Sequence, residues 1–220
     1  KIMNRYELRP YNTFIAKSRY SRYLDDKGRR EHWGETVARY FDFMTKNLKE
    51  KNDYTLTPEL RAELEDAVKH LDVVPSMRAV MTAGAALERQ NVAAFNCSYL
   101  PIDDPKAFDE AMYILLCGTG VGFSCEEKYV NELPVVPELL EFGKTILPSK
   151  VITVEDSKEG WCEAYRLLIA RLYVGVISQW DVSLVRPAGT PLKTFGGRAS
   201  GPAPLVSLFE YTINKFKNAQ

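Results

Sequence analysis

Metal-ligand chemistry has little to work with in this sequence. It holds two histidines, His32 and His70, and four cysteines, Cys97, Cys117, Cys125 and Cys162, irregularly spaced and without a CxxC pair. A structural zinc site draws on closely clustered donors of these types, so no metal site is expected. The same scarcity excludes a disulfide framework. An excess of one charge is missing too: 29 Lys and Arg balance 29 Asp and Glu. The chain thus lacks the basic surplus of a nucleic-acid binder, and no nucleic-acid partner is expected. Apolar runs are short. A stretch such as Ala111–Cys117 falls far below the roughly 20 residues of a membrane helix. Lys1–Pro10 mixes charge with aromatics, where a signal peptide needs an unbroken apolar stretch. These absences lead to the expectation of a cytoplasmic protein with no membrane contact and with its cysteines as thiols.

What is present is an ordinary globular composition, 45% hydrophobic and 26% charged over 220 residues, enough for one generous domain or two small ones. The first 33 residues carry nine basic side chains against four acidic ones, with tyrosines at 6, 11, 20, 23 and 40 in or beside them. Such an arm suits either phosphate contact or a solvated surface segment packed through its rings. From Glu35, the positions Val37, Tyr40, Phe41, Met44 and Leu48 recur at helical spacing up to Lys51-Asn52-Asp53. Thr57 then caps a second helix, with Pro58 at its first position and Leu60, Leu64, Ala67, Val68 and Leu71 on one face. We expect a helical N-terminal region over 1–72.

Beyond Pro75 the texture turns to small residues, then to a strand-like Phe95–Leu100. A helix from Asp104-Pro105, with Phe108, Ala111, Met112, Leu115 and Leu116 inward, runs into Gly118-Thr119-Gly120-Val121-Gly122 and a short strand. A Pro-rich loop from Leu133 to Pro148 precedes a strand at Val151–Val154 and a helix with Trp161, Ala164, Tyr165, Leu168, Ile169 and Leu172 at helical period. A short apolar strand is expected at Val182–Val185, and a last helix from about Pro202 shows Leu205, Leu208, Phe209, Thr212, Ile213 and Phe216. Strands alternating with helices predict an α/β fold.

Two segments invite ligands. The glycines at 118, 120 and 122 follow a helix and precede a strand, the reverse of a dinucleotide fingerprint, and the third stands one residue early. They fit either backbone that a ligand approaches closely or a tight turn with no ligand. The loop Arg186–Gly201 mixes prolines and glycines with Lys193 and Arg198, which suits an anion-binding loop or a bare surface loop. Cys117, Cys125 and Cys162 are expected to be small buried hydrophobes.

In order, the segments Pro75–Gly84, Asn96-Cys97-Ser98-Tyr99, Gly118–Ser124 and Arg186–Gly197 resemble the N-terminal part of a ribonucleotide reductase. The helix opening Val154-Glu155-Asp156-Ser157-Lys158-Glu159-Gly160-Trp161 is most similar to the adenosylcobalamin-dependent class. The resemblance runs from about Asn12 to the C-terminus. It implies a helical layer followed, over 73–220, by the first half of a ten-stranded α/β barrel. It also implies an enzyme that removes the ribose 2′-hydroxyl of ribonucleotides, triphosphates by this similarity, through thiyl-radical chemistry with adenosylcobalamin.

By the same resemblance Cys97 is the first cysteine of the pair that reduces substrate, a role needing a thiol because only a thiol can close a disulfide as electrons leave. Ser76, Asn96, Ser98, Gly118 and Gly120 are implied to contact substrate. Gly189, Lys193, Gly197 and Arg198 are implied to bind a deoxynucleoside triphosphate effector. Residues of about 124–185 resemble the insertion by which single-chain cobalamin enzymes replace a dimer contact. The radical-bearing cysteine, the second reducing cysteine and the cysteines served by a thioredoxin-like reductant all fall in a C-terminal portion or second chain beyond Gln220, so this chain alone is expected to be inactive. The rival expectation is a non-catalytic nucleotide-binding or regulatory module; a plain assembly protein ranks third.

Overall fold

The computed structural model describes residues 9–139, 151–192 and 197–219. They form two compact units, one of residues 9–96 and one of residues 97–192 with 197–219.

The first unit opens with α1 (Pro10–Ile15), which continues into a π-helical turn, Ala16–Tyr20. A two-residue hairpin follows, β1 (Tyr23–Leu24) against β2 (Arg29–Arg30), turned by Gly28 in the left-handed region. α2 (Trp33–Asn52) begins where the Glu35 carboxylate accepts from the His32 N–H at 2.8 Å, and ends at Asp53 with φ 51. α3 (Pro58–Lys69) starts as expected, with Thr57 Oγ1 accepting from the Leu60 N–H. Val37, Phe41 and Val68 pack together beside Trp33 and Tyr40. The apolar face read for α3 is mostly uncovered: Leu60, Leu64 and Leu71 are exposed and only Val68 is buried, where it packs on Val37 and Phe41 of α2. The small-residue stretch holds two short helices, α4 (Met77–Thr82) and α5 (Ala85–Arg89), separated by Gly84 at φ 98.

The polar centre of this unit is Glu31, only 3% exposed. Its carboxylate accepts from Arg39 Nε at 2.8 Å and from Arg39 Nη2 at 3.0 Å. The Thr36 hydroxyl and the Arg22 N–H also donate to it. Arg39 donates onward to the carbonyls of Val80 and Ala83, so one guanidinium joins α2 to the end of α4. Burial alone raises the Glu31 pKa, and the Arg39, Arg22 and Thr36 hydrogen bonds outweigh it, holding the group below the ordinary carboxylate value. Arg22, Arg29 and Arg30 each donate to protein oxygens. Tyr11 and Tyr23 of the same arm are exposed.

The second unit begins with β3 (Cys97–Pro101), α6 (Lys106–Leu116) and β4 (Gly120–Ser124), in which β3 and β4 pair in parallel. α7 (Glu127–Val130) follows. Residues 134–139 are irregular, and the rest of the expected Pro-rich loop lies outside the described residues. β5 (Ile152–Thr153) pairs in parallel with β6 (Trp180–Asp181) across α8 (Lys158–Leu172), and α9 (Ala203–Asn218) completes the unit.

The periodicities read for α8 and α9 hold. Ala164, Tyr165, Leu168, Ile169 and Leu172 share one core with Leu205, Phe209, Ile213 and Phe216. Tyr165 stacks on Phe209, and its hydroxyl meets Thr212 Oγ1 at 3.2 Å. Two expectations need correcting. The strand expected at Val182–Val185 lies earlier, at β6; the Asp181 carboxylate accepts from the Ser183 N–H at 2.8 Å and turns the chain out of the sheet. Leu115 and Leu116, expected inward, are exposed, because they stand on the last turn of α6, past the cluster of Leu100, Ile102, Ala107 and Phe108. An α/β unit is what the alternation predicted, and no helix among the described residues is long and apolar enough to cross a membrane.

Candidate functional site

Gly118 sits at φ 82, directly after α6, in a region closed to most side chains. That turn carries the chain into β4 alongside β3, in a register that sets Cys97 opposite Gly120, Ser98 opposite Val121 and Tyr99 opposite Gly122. Paired residues of a parallel sheet share a face, and successive ones alternate. Cys97, Tyr99, Gly120 and Gly122 therefore line one face, and all four are exposed. On the other face Leu100 is buried, and Val121 packs beside it in the cluster beneath. The Ser98 hydroxyl donates to the Gly120 carbonyl at 3.1 Å, pinning the two strand beginnings together. The result is an exposed thiol beside a lane of backbone without Cβ atoms, where a ligand can approach the chain closely.

Three of the expected residues, Cys97, Ser98 and Gly120, are thus neighbours, and Gly118 makes their arrangement possible. Ser76 and Asn96 belong to the first unit, where both are exposed; Ser76 caps α4 by accepting from the Ala79 N–H.

The loop read as an effector site is a small hairpin. Gly189 donates to the Ala199 carbonyl, Ala199 to the Thr190 carbonyl and Leu192 to the Gly197 carbonyl, with Pro191 bridged to Arg198. Gly189 and Gly197 both stand at φ 87, and Arg198 donates to the Gly189 carbonyl at 2.9 Å. Lys193 lies outside the described residues. At the hairpin base, a Cβ on Gly201 (φ 73) would come within 2.9 Å of the Ala188 nitrogen, so the two ends close only around a glycine.

Sequence reading missed the ionic fixtures of this unit. Arg186 Nε donates to both Asp156 oxygens, at 2.9 and 2.7 Å, and so fastens the root of the hairpin to the segment between β5 and α8. Asp109, 2% exposed, accepts from Arg166 at 2.7 Å through Oδ2. Its Oδ1 is buried with no partner among the described residues. Lys158 Nζ lies 3.2 Å from the Cys117 sulfur and 4.9 Å from the centre of the Tyr113 ring. The only signal for these contacts in the sequence was the charged run Glu155–Glu159, which reads equally well as a solvated helix start.

The cysteines separate by environment. Cys117 and Cys162 are buried as expected. Burial, with Asp109 and Cys117 adding to it, pushes the Cys162 thiol up to about 12. Cys125, expected to be buried, is exposed, since it follows β4 and no element among the described residues covers it. Among the described residues no group of His, Cys, Asp and Glu is arranged to hold a metal ion.

Comparison with known proteins gives this geometry a setting. Residues 142–216 match the insertion domain of B12-dependent ribonucleotide reductase. The chain is 26% identical over 264 residues to the adenosylcobalamin-dependent ribonucleoside-triphosphate reductase of Lactobacillus gasseri, with 92% of this chain and 35% of that protein aligned. It is also 26% identical over 249 residues to the Lactobacillus leichmannii enzyme of the same description, covering 87% of this chain and 34% of that one. A crystal structure of a B12-dependent (class II) ribonucleotide reductase shares the fold at TM-score 0.73 and 24% identity, over 94% of this chain and 37% of that one. The chain spans about a third of the length of these relatives. The chain is thus similar, over most of its length, to about a third of an adenosylcobalamin-dependent (class II) ribonucleotide reductase.

Proposed function

We propose that this chain supplies one wall of the active site of a ribonucleoside-triphosphate reductase, with Cys97 as one of the two thiols that reduce substrate. The observation that carries the reading is the exposed Cys97 thiol, in register with Gly120 and braced by the Ser98 hydrogen bond. In the overall reaction the C2′ hydroxyl leaves as water while two thiols give up two electrons and two protons and become a disulfide. Cys97 supplies one sulfur, and its partner comes from a C-terminal portion or a second chain, which also brings the radical-bearing cysteine. A thioredoxin-like reductant resets the pair.

The glycine lane lets the ribose lie against backbone, with Ser98, Gly118 and Gly120 near it; the resemblance also implies substrate contacts for Ser76 and Asn96. β3 and β4 are the first parallel strands of the ten-stranded barrel, and residues of about 124–185 form the insertion. The hairpin of Gly189, Gly197 and Arg198, together with Lys193, receives the deoxynucleoside triphosphate effector.

Adenosylcobalamin, the cofactor named for the relatives, supplies the initiating radical when bound. The concavity beside β6 and α9 joins Val151, Ile177, Trp180 and Ile213 to Glu210, Asn214 and Lys217, and we assign the cofactor's place to the rest of the enzyme.

The test is deoxynucleotide yield per enzyme in the full-length protein or its reconstituted complex, with reductant present. Cys97→Ser is expected to abolish multiple turnover with the fold unchanged, whereas Cys125→Ser keeps it. Wild-type yield from Cys97→Ser removes Cys97 from the mechanism. It would favour a non-catalytic nucleotide-binding role for the chain.

A further inference from the structure

The Cys97 site leaves unused a second sulfur that sits against an amine. Cys117 is wholly buried at the end of α6, and Lys158, the first residue of α8, reaches in so that Nζ stands 3.2 Å from Sγ. The lysine is held there. Its side chain is 11% exposed, its ammonium lies over the Tyr113 ring, and among the described residues the nearest carboxylate oxygen, from Glu159, is 4.0 Å away. A lysine normally keeps its charged end in water; here its end is directed at a sulfur instead.

We propose that Cys117 and Lys158 are a covalent modification site, an oxidant-dependent sulfur–oxygen–nitrogen cross-link between α6 and α8. The co-reactant class is dioxygen or a peroxide. With dioxygen, the S–H bond and one N–H bond break, one oxygen atom is inserted between Sγ and Nζ, and the other leaves as water. Sulfur and nitrogen together lose four electrons, and dioxygen takes them. With hydrogen peroxide the same change uses two molecules. The first converts the thiol to sulfenic acid and water; the second oxidises the amine nitrogen onto that oxygen and leaves two further waters. If the lysine starts as the ammonium, its extra proton passes to solvent.

The surroundings favour this product over the usual ones. Cys162, the neighbouring thiol, is held protonated by burial and is a poor partner for disulfide formation. Complete burial of Cys117 withholds it from bulky oxidants and from other thiols, while dioxygen and peroxide are small. The link would sit one residue before Gly118, so it fastens the glycine turn to α8.

The experiment is peptide mapping of the native protein after exposure to air or to hydrogen peroxide, digested without reductant. The expected result is a joined pair of peptides containing Cys117 and Lys158. Its mass exceeds their sum by about 14 Da, for one oxygen gained and two hydrogens lost, and excess dithiol returns it to the separate peptides. The pair persists in Cys162→Ser and is missing from Lys158→Arg, which keeps the charge over Tyr113. Four outcomes overturn the proposal: Cys117 recovered only as the thiol after peroxide, Cys117 recovered only as sulfinic or sulfonic acid, a Cys117–Cys162 disulfide lighter by about 2 Da, or an unchanged linked pair in Lys158→Arg. The wild-type measurement decides by itself if a variant fails to fold.

Discussion

At the scale of single residues, burial sorts the thiols and ion pairs into groups with opposite expected behaviour. Alkylation of the native protein near pH 8 should label Cys97 and Cys125, which are exposed, and spare Cys117 and Cys162, with peptide mapping as the readout. Cys162 is doubly protected, because at pH 8 a thiol pushed up to about 12 is almost never the reactive thiolate. Glu31 governs a different property. Truncating it to Ala strands the Arg39 guanidinium among backbone carbonyls, and the loss expected for breaking a buried pair is about 3 kcal/mol, measurable by urea denaturation. Its lowered pKa fixes the sign of the acid response. The stabilisation is fully present above the unfolded carboxylate value and is lost as pH falls through the folded one. The Glu31→Gln variant should therefore show a flatter decline in stability below about pH 4 than the parent. None of this was legible in the sequence: Glu31 reads there as one acid in a basic arm, and only the fold brings Arg39 and the α4 carbonyls to it.

At the scale of elements, the sequence announced those whose apolar faces are fully covered and misled where they are not. α8 and α9 face each other, so every apolar position at helical period has a partner and the spacing is an accurate guide. α3 and the end of α6 carry the same spacing without a cover, and periodicity cannot tell a buried stripe from an open one. The displaced strand has a similar origin: Val182, Leu184 and Val185 suggest a strand, and the Asp181 side chain ends the sheet before them. Gly160 offers a sharp test at this scale. It is the third residue of α8, where alanine ordinarily strengthens a helix by about 1 kcal/mol. Here a Cβ would lie 2.6 Å from the Glu155 Cβ and 2.9 Å from its carbonyl oxygen. Gly160→Ala should therefore lower the thermal midpoint, and an increase would show that the approach to α8 can yield. By contrast, Ser157→Ala removes a cap that accepts from the Gly160 N–H at 2.9 Å and should cost about 1 kcal/mol.

At the scale of the whole molecule, both parallel sheets of the second unit have two strands among the described residues. Parallel sheets are ordinarily covered and extended by further strands, and unpaired strand edges seek partners. We expect the isolated chain to bind a nucleoside triphosphate weakly or not at all in calorimetry, and to gain affinity when the remaining strands are supplied as a C-terminal polypeptide. Full affinity from this chain alone would show a pocket more self-contained than the sheets suggest. The resemblance was legible because four short segments keep their order, and those segments prove to be places where the backbone itself is constrained: the α4 cap, the start of β3, the Gly118 turn and the hairpin after Arg186. The side-chain fixtures were not legible, since the contacts that make them span 30 residues between Asp156 and Arg186 and 41 between Cys117 and Lys158.

The pairing of Cys97 with Gly120 has a kinetic meaning as well. β3, α6 and β4 follow one another without interruption, so the thiol meets its glycine lane by closing a short stretch of chain. The entropy of closing that stretch is smaller than for strands far apart in the chain, and it grows only slowly with length. On a ribosome the segment would be complete as soon as Ser124 emerged, and the sulfur would then stand formed and uncovered while residues 125–220 were still being made.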